Sequence, residues 1–192
     1  QMAGELGRAA FFDEARTSKQ LLEQAIGAAV GGFRASTFSV MPATRWALEA
    51  LAEAGYRYDS SVFPVRHDRY GWPAFPRTAV TIATPAGPII EVPMLTLRRF
   101  GMNLPAAGGG YLRLLPAGLV TRALDDMAAA GQPGVLYLHP WEFDAGQPRL
   151  LRGGLGALRH YFGLSRTRAK LDRLLRRYRF GPVAACAGGA PE

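Results

Sequence analysis

The sequence predicts an α/β layer structure in which helices pack against a sheet. Apolar residues recur three or four positions apart, which is helical spacing, in residues 11–26, 44–54, 116–130 and 155–178. Short apolar runs of the β type occur between them, at residues 30–38, 56–62, 78–84, 88–97 and 135–139. No segment repeats along the chain. Helices that alternate with strands are typical of α/β folds.

The first helix and the first strand are separated by a glycine. Phe11, Ala15, Leu22 and Ile26 form the apolar stripe of the helix, and Gly27 follows as its stop signal. The next helix ends in the same way at Gly55. Residues 63–76 hold four aromatic residues and three prolines, which predicts an ordered loop.

The second half of the chain predicts a hairpin and then two further helices. Pro85-Ala86-Gly87 lies between two runs of strand type, so residues 78–84 and 88–97 should pair. Residues 108–110 are three glycines and predict a flexible loop. We expect one domain over residues 1–183 and a loose tail over residues 184–192.

Charge and cysteine content exclude some classes of protein. The net charge of +8 would attract nucleic acid, anionic lipid or an acidic glycan, although an arginine-rich composition of the gene explains it equally well. The single cysteine, Cys186, can form neither an internal disulfide nor a cysteine-based zinc site. No apolar run reaches ~20 residues, and residues 1–5 lack a signal-peptide pattern, so we expect no transmembrane segment and a cytoplasmic location.

Three strand ends carry residues capable of chemistry. They contain Arg34, Asp59 and His139, and in barrel-like α/β folds such ends gather at one mouth. Each residue also has an ordinary structural explanation. Arg34 can be an ion-pair partner, Asp59 a turn former and His139 a core histidine.

Taken in order, these segments resemble one family. The chain is similar to the NodB-homology polysaccharide deacetylases, in particular the branch found with exosortase-type exopolysaccharide gene clusters. The resemblance covers residues 11–180. Its clearest segments are Phe33-Arg34-Ala35-Ser36-Thr37-Phe38, Gly55 to Gly71, Asn103-Leu104-Pro105, Gly108-Gly109-Gly110-Tyr111 and Leu138-His139-Pro140-Trp141-Glu142.

The resemblance implies an incomplete (β/α) barrel and the metal-dependent hydrolysis of N-acetyl groups on a glycan. In the intact family enzyme a divalent metal, commonly zinc, activates water. The resemblance makes His139 the general acid and Arg34 the residue that orients the catalytic aspartate. It also gives four residues that would bind the N-acetylated polysaccharide: Asp59, Ser60, Tyr111 and Trp141.

The chain departs from the family at the metal site. The family's aspartate pair and His-x-x-x-His ligands precede the first helix, but the first ten residues here contain neither Asp nor His. His67, His139 and His160 are scattered. We therefore expect no metal in this chain alone, which would be a truncated or degenerate homologue with an exposed edge near residues 30–38. Ser36 also stands where the branch has proline.

Two other functions stay open. The chain could be a non-catalytic carbohydrate-binding remnant that stacks sugars on Tyr70, Trp72, Tyr111 and Trp141, although core packing explains aromatic residues as well. The arginine-rich residues 166–179 could bind nucleic acid, but no nucleic-acid motif accompanies them, so we expect no such partner. The sequence alone therefore leaves it undecided whether the chain is an enzyme.

Overall fold

The computed structural model describes residues 1–150 and 153–188, which form two compact units. The first unit contains Gln1–Met94 and the segment that begins at Pro182, and the second contains Leu95–Gly181. The described residues are of mixed α/β structure with two small sheets, and no closed barrel is present among them. An incomplete barrel stays a prediction. No helix in the described part of the chain is long and apolar enough to cross a membrane.

The first unit is built on a four-stranded sheet. Its strands are β1 (Gly32–Phe33), β2 (Tyr58–Asp59), β3 (Val80–Thr84) and β4 (Gly87–Glu91), in the order β1-β2-β4-β3. The first three strands in this order are parallel, and β3 and β4 form the predicted antiparallel hairpin. β1 lies at an edge of the sheet, where the sequence predicted an edge.

This unit also contains four helices: α1 (Ala3–Leu6), α2 (Arg8–Ile26), α3 (Trp46–Glu53) and, close to the end of the chain, α8 (Val183–Cys186). Phe11 and Ala15 on α2 join Leu48 and Leu51 on α3 in the apolar core. Two short 3-10 helices, Ser36–Phe38 and Pro42–Thr44, follow β1. Residues 189–192, the end of the predicted tail, lie outside the described residues.

The second unit begins with a hairpin that the sequence pattern did not predict. Strands β5 (Thr96–Arg99) and β6 (Met102–Pro105) pair in antiparallel register. Helices α4 (Gly110–Leu114), α5 (Ala117–Ala129), α6 (Gly154–Tyr161) and α7 (Leu164–Arg177) follow, with a 3-10 helix at Pro140–Phe143 between α5 and α6. α5 buries the expected face, with Ala123 and Met127 among its buried residues.

Several predicted elements differ from the structure. The strand predicted over residues 56–62 is limited to β2, and the strand predicted over residues 88–97 is divided between β4 and β5. The strand predicted over residues 30–38 is limited to β1, and a 3-10 helix at Ser36–Phe38 follows, in which Thr37 and Phe38 adopt positive φ angles of 58° and 51°. The strand predicted over residues 135–139 makes only isolated bridges at Val135 and Tyr137, and the bridge of Tyr137 is to Gly108. The long helix predicted over residues 155–178 is broken before α7, at Gly163, whose φ is +76°.

Candidate functional site

In the first unit, polar residues meet at the carboxyl ends of the three parallel strands. Phe33 pairs with Asp59 and Asp59 pairs with Glu91, so β1, β2 and β4 end at the same level. Arg34 directly follows β1. The strand-end cluster, as we call it, consists of Arg34, Asp59, Ser60, Ser61 and Glu91. The carboxyl ends of parallel strands are where α/β folds commonly place their sites.

Arg34 is held in one orientation by Ser60. Its Nε donates a hydrogen bond to the Ser60 carbonyl oxygen at 2.8 Å, and Nη2 donates to the Ser60 hydroxyl, also at 2.8 Å. That hydroxyl donates its own proton to the Val92 carbonyl at 2.7 Å. The bidentate contact uses the planar guanidinium fork, which lysine would not reproduce. Arg34 is therefore a fixed positive charge beside the buried acids.

Asp59 and Glu91 are two carboxyl groups in direct contact, and both are completely buried. Asp59 Oδ1 accepts a hydrogen bond from the Ser61 hydroxyl at 2.6 Å, and Glu91 Oε1 accepts one from the Val62 N–H at 2.8 Å. Their second oxygens, Oδ2 and Oε2, receive no hydrogen from another described residue. A proton held between the two carboxyl groups would give both oxygens a partner.

The proton belongs mainly to Glu91. Burial raises the pKa of Glu91 well above its ordinary value, and the negative charge of Asp59 raises it further. Burial also raises the pKa of Asp59, but hydrogen bonds from Glu91 and Ser61 and the charge of Arg34 oppose that shift. Glu91 is therefore the carboxyl group of the pair that more readily holds a proton, and Asp59 is the one more readily ionised near the Arg34 guanidinium.

The second unit contains a buried ion pair next to His139. Arg113 Nε lies 2.9 Å from Glu142 Oε1, and the two side chains are 5% and 1% exposed. Glu142 Oε2 accepts the His139 backbone N–H at 2.9 Å. Arg113 also donates to the His160 carbonyl. Since breaking a buried pair leaves an uncompensated charge, this arrangement fixes the turn at Pro140–Phe143 strongly.

His139 forms part of a row of rings. Its backbone is extended (φ −104°, ψ 142°), as a following proline requires. The imidazole centroid lies 4.6 Å from the Tyr137 ring and 6.0 Å from the Trp141 ring. Trp141 in turn stacks on His160 at 4.5 Å with an interplanar angle of 6°. The row of rings, Tyr137, His139, Trp141 and His160, is half-buried.

The tautomer of His160 follows from its neighbour. Gln147 Nε2 donates to the carbonyl oxygens of Trp141 and Asp144, both at 2.9 Å, so its Oε1 must be an acceptor. His160 Nε2 lies 3.2 Å from that Oε1 and is therefore the protonated nitrogen. In the tautomer that donates this hydrogen bond, the lone pair of the imidazole lies on Nδ1.

The structure brings some of the predicted site residues together within each unit. Arg34, Asp59 and Ser60 meet in the strand-end cluster, where Asp59 and Ser60 are buried. Trp141 lies beside His139, and Tyr111 belongs to α4. Sequence reasoning did not identify the roles of Ser61, Glu91, Arg113, Glu142 and His160. Glu142 stood in the quoted motif, but nothing local marked Glu91 beyond its place after an apolar run.

The described residues do not fit a zinc site. No group of three or more His, Cys, Asp or Glu side chains in residues 1–150 and 153–188 could hold a metal ion. In the Asp59–Glu91 pair, one oxygen of each carboxyl group already accepts a hydrogen bond, from the Ser61 hydroxyl and the Val62 N–H respectively.

Comparison with known proteins gives one match. The family model described as "Domain of unknown function (DUF3473)" matches residues 60–187. Neither a curated protein nor a solved structure matches the chain. The match includes Ser60 and Glu91 of the strand-end cluster and the whole row of rings.

Proposed function

Because the chain belongs to the family described as Domain of unknown function (DUF3473), which is in general associated with polysaccharide deacetylase-like proteins, we propose that it is the C-terminal part of a metal-dependent polysaccharide N-deacetylase. The substrate would be an N-acetylated exopolysaccharide in its cytoplasmic biosynthesis, and the metal ligands and base would be residues other than those described. The observation that carries the proposal is the fixed environment of His139.

His139 suits the role of general acid. Hydrolysis of an N-acetyl group adds water to the carbonyl carbon and breaks the C–N bond, releasing acetate and an amine. The amine nitrogen must receive a proton as that bond breaks, since an amine anion is a very poor leaving group. A protonated imidazole donates this proton and becomes neutral. Histidine can do so near neutral pH because its ordinary pKa is about 6.5.

The surrounding residues hold the imidazole in place. Glu142 fixes the His139 backbone through its N–H, and Pro140 keeps that backbone extended. Tyr137 and Trp141 contact the ring itself. In the first unit, Arg34 would orient an acidic group of the active site. The hydrogen bonds of Arg34 to Ser60 would hold the guanidinium still in this role.

A carbohydrate-binding protein without activity is the second candidate, favoured by the row of rings. Aromatic rings with a polar edge bind sugars by stacking and hydrogen bonding, and His160 offers the Nδ1 lone pair to a hydroxyl group. This candidate predicts binding of an N-acetylated polymer without acetate release.

The decisive experiment measures acetate release by the full-length gene product that contains this chain, supplied with divalent metal and an N-acetylated polymer. His139→Ala should lower kcat by about 100- to 10,000-fold. His67→Ala is the matched control, since His67 lies in the loop at residues 63–76 outside the row of rings. A loss below about tenfold would assign the acid role elsewhere. Polymer binding with no acetate release in the wild type would favour the second candidate.

A further inference from the structure

The tip of the β5–β6 hairpin has an unusual residue for its backbone shape. Arg99 pairs with Met102, so Phe100 and Gly101 alone form the loop. Their φ angles are +50° and +73°. Two-residue loops with positive φ at both positions are type I′ turns, which favour Asn-Gly. A bulky phenylalanine at the first position is disfavoured there.

The same phenylalanine is almost fully exposed. Phe100 is 82% exposed and Met102 is 60% exposed, so the tip presents two apolar side chains to solvent. Both features act against Phe100 in the isolated chain: the turn prefers another residue, and exposed aromatic surface is unfavourable in water. The Arg99 guanidinium lies 5.0 Å from the centroid of the Phe100 ring, and most of the ring surface stays in contact with solvent.

Arginines surround this apolar tip. Arg98 and Arg99 are exposed, and no ion pair within 4.0 Å is described for either of them in residues 1–150 and 153–188. Arg98 donates to the Asn103 side chain at 3.1 Å. The nearby Arg122 is paired with Asp126 at 3.0 Å, so it adds little net charge. The tip therefore combines protruding apolar groups with two exposed arginines.

We propose that the β5–β6 tip docks on an anionic lipid bilayer. Phe100 and Met102 enter the boundary between headgroups and acyl chains, while Arg98 and Arg99 bind lipid phosphates with their apolar stems along the same boundary. A narrow, convex tip suits a deformable lipid surface better than a protein partner, which needs a broad complementary face. The net charge of +8 adds a long-range attraction to the same surface. This docking does not depend on the proposed deacetylase activity.

The test is sedimentation of the chain with vesicles of phosphatidylcholine, with and without phosphatidylglycerol. Binding should require phosphatidylglycerol and weaken with added salt. Arg99→Gln should lower vesicle affinity about fivefold, which corresponds to ~1 kcal/mol per charge. Phe100→Asn should lower it about tenfold while favouring the turn, so that loss of folding cannot explain the result.

Two further variants make the outcome specific. Leu21→Asn removes an apolar side chain of 61% exposure on α2 and should leave vesicle binding unchanged. Phe100→Trp adds a fluorescent reporter at the tip. After the wild-type emission spectrum is subtracted, the emission maximum of this tryptophan should move to shorter wavelength when vesicles are added. Absence of binding to anionic vesicles at low salt would overturn the proposal. The proposal would also be overturned if Phe100→Asn bound vesicles as tightly as the wild type. The same holds if this variant weakened binding to a single-stranded oligonucleotide but not to vesicles.

Discussion

Replacing Glu91 tests whether the strand-end cluster contains a protonated acid. Glu91→Gln should leave the first unit folded at neutral pH, because glutamine reproduces both contacts of the protonated side chain. Its Oε1 can accept the Val62 N–H, and its Nε2 can donate to Asp59 Oδ2. Glu91→Ala leaves both of those buried groups without a partner. At about 1–3 kcal/mol for each, the loss in the free energy of unfolding should be about 2–6 kcal/mol.

The same substitution should remove a dependence on pH. The pKa of Glu91 in the folded chain lies above its ordinary value of 4.5, so between these values the native state binds more protons than the unfolded state. Stability from this shift is fully present below pH 4.5 and is lost as pH rises through the folded pKa. One proton corresponds to a slope of at most ~1.4 kcal/mol per pH unit. Glutamine has no such proton.

The measurement is urea unfolding at a series of pH values between about 4 and 8. Trp46 and Trp72 report on the first unit, and a Trp141→Phe background removes the signal of the second. The difference between wild type and Glu91→Gln cancels contributions common to both proteins, such as Glu23, whose pKa is lowered by its bond with Lys19. The reasoning is refuted if Glu91→Gln destabilises the unit as much as Glu91→Ala, or if it retains the wild-type slope.

Three further outcomes are expected. Gly108→Ala should destabilise the second unit by about 1–3 kcal/mol or more, because Gly108 has a φ of +116° and a Cβ would lie 2.4 Å from the Tyr137 carbonyl oxygen. Gly118→Ala in α5, where a Cβ meets no atom within 4 Å, should instead stabilise it by about 0.5–1 kcal/mol; urea unfolding distinguishes the two. Glu142→Ala should cost about 3–5 kcal/mol in the same assay by leaving Arg113 buried without its partner, and Glu142→Gln should cost less. The chain alone should retain no stoichiometric zinc after dialysis against a weak chelator, as measured by atomic absorption, and retention would show that its residues do form a zinc site.

Elements with a strong local pattern could be predicted from the sequence. The apolar stripe from Phe11 to Ile26 corresponds to α2, which the structure extends back to Arg8 and ends at Gly27. Pro85-Ala86-Gly87 marked the hairpin of β3 and β4. In both cases residues within one helix or one turn contain the information, so no distant contact is needed.

The bounds of other elements depend on turn geometry or on contacts between distant residues, which the apolar periodicity of the sequence does not reveal. The hairpin at Phe100 was missed because its loop lacks the Asn or Asp that marks a type I′ turn. The helix break at Gly163 was missed because apolar spacing continues on both sides. A Cβ at Gly163 would lie 2.8 Å from the Arg113 carbonyl oxygen, a constraint imposed by a residue far away in sequence.

The strand-end cluster shows why a site is harder to predict than an element. Arg34 and Asp59 each follow or end an apolar run, so their places at strand ends could be predicted. Glu91 also ends such a run, yet its meaning depends on register: a shift of one residue would point its side chain to the other face of the sheet. Only the pairing of Asp59 with Glu91 places the two carboxyl groups together. Their contact then contributes to the raised pKa of Glu91 and, through it, to the charge near Arg34. The local sequence names the candidate groups, but the protonation of the cluster follows from the alignment of strands 32 residues apart in the chain.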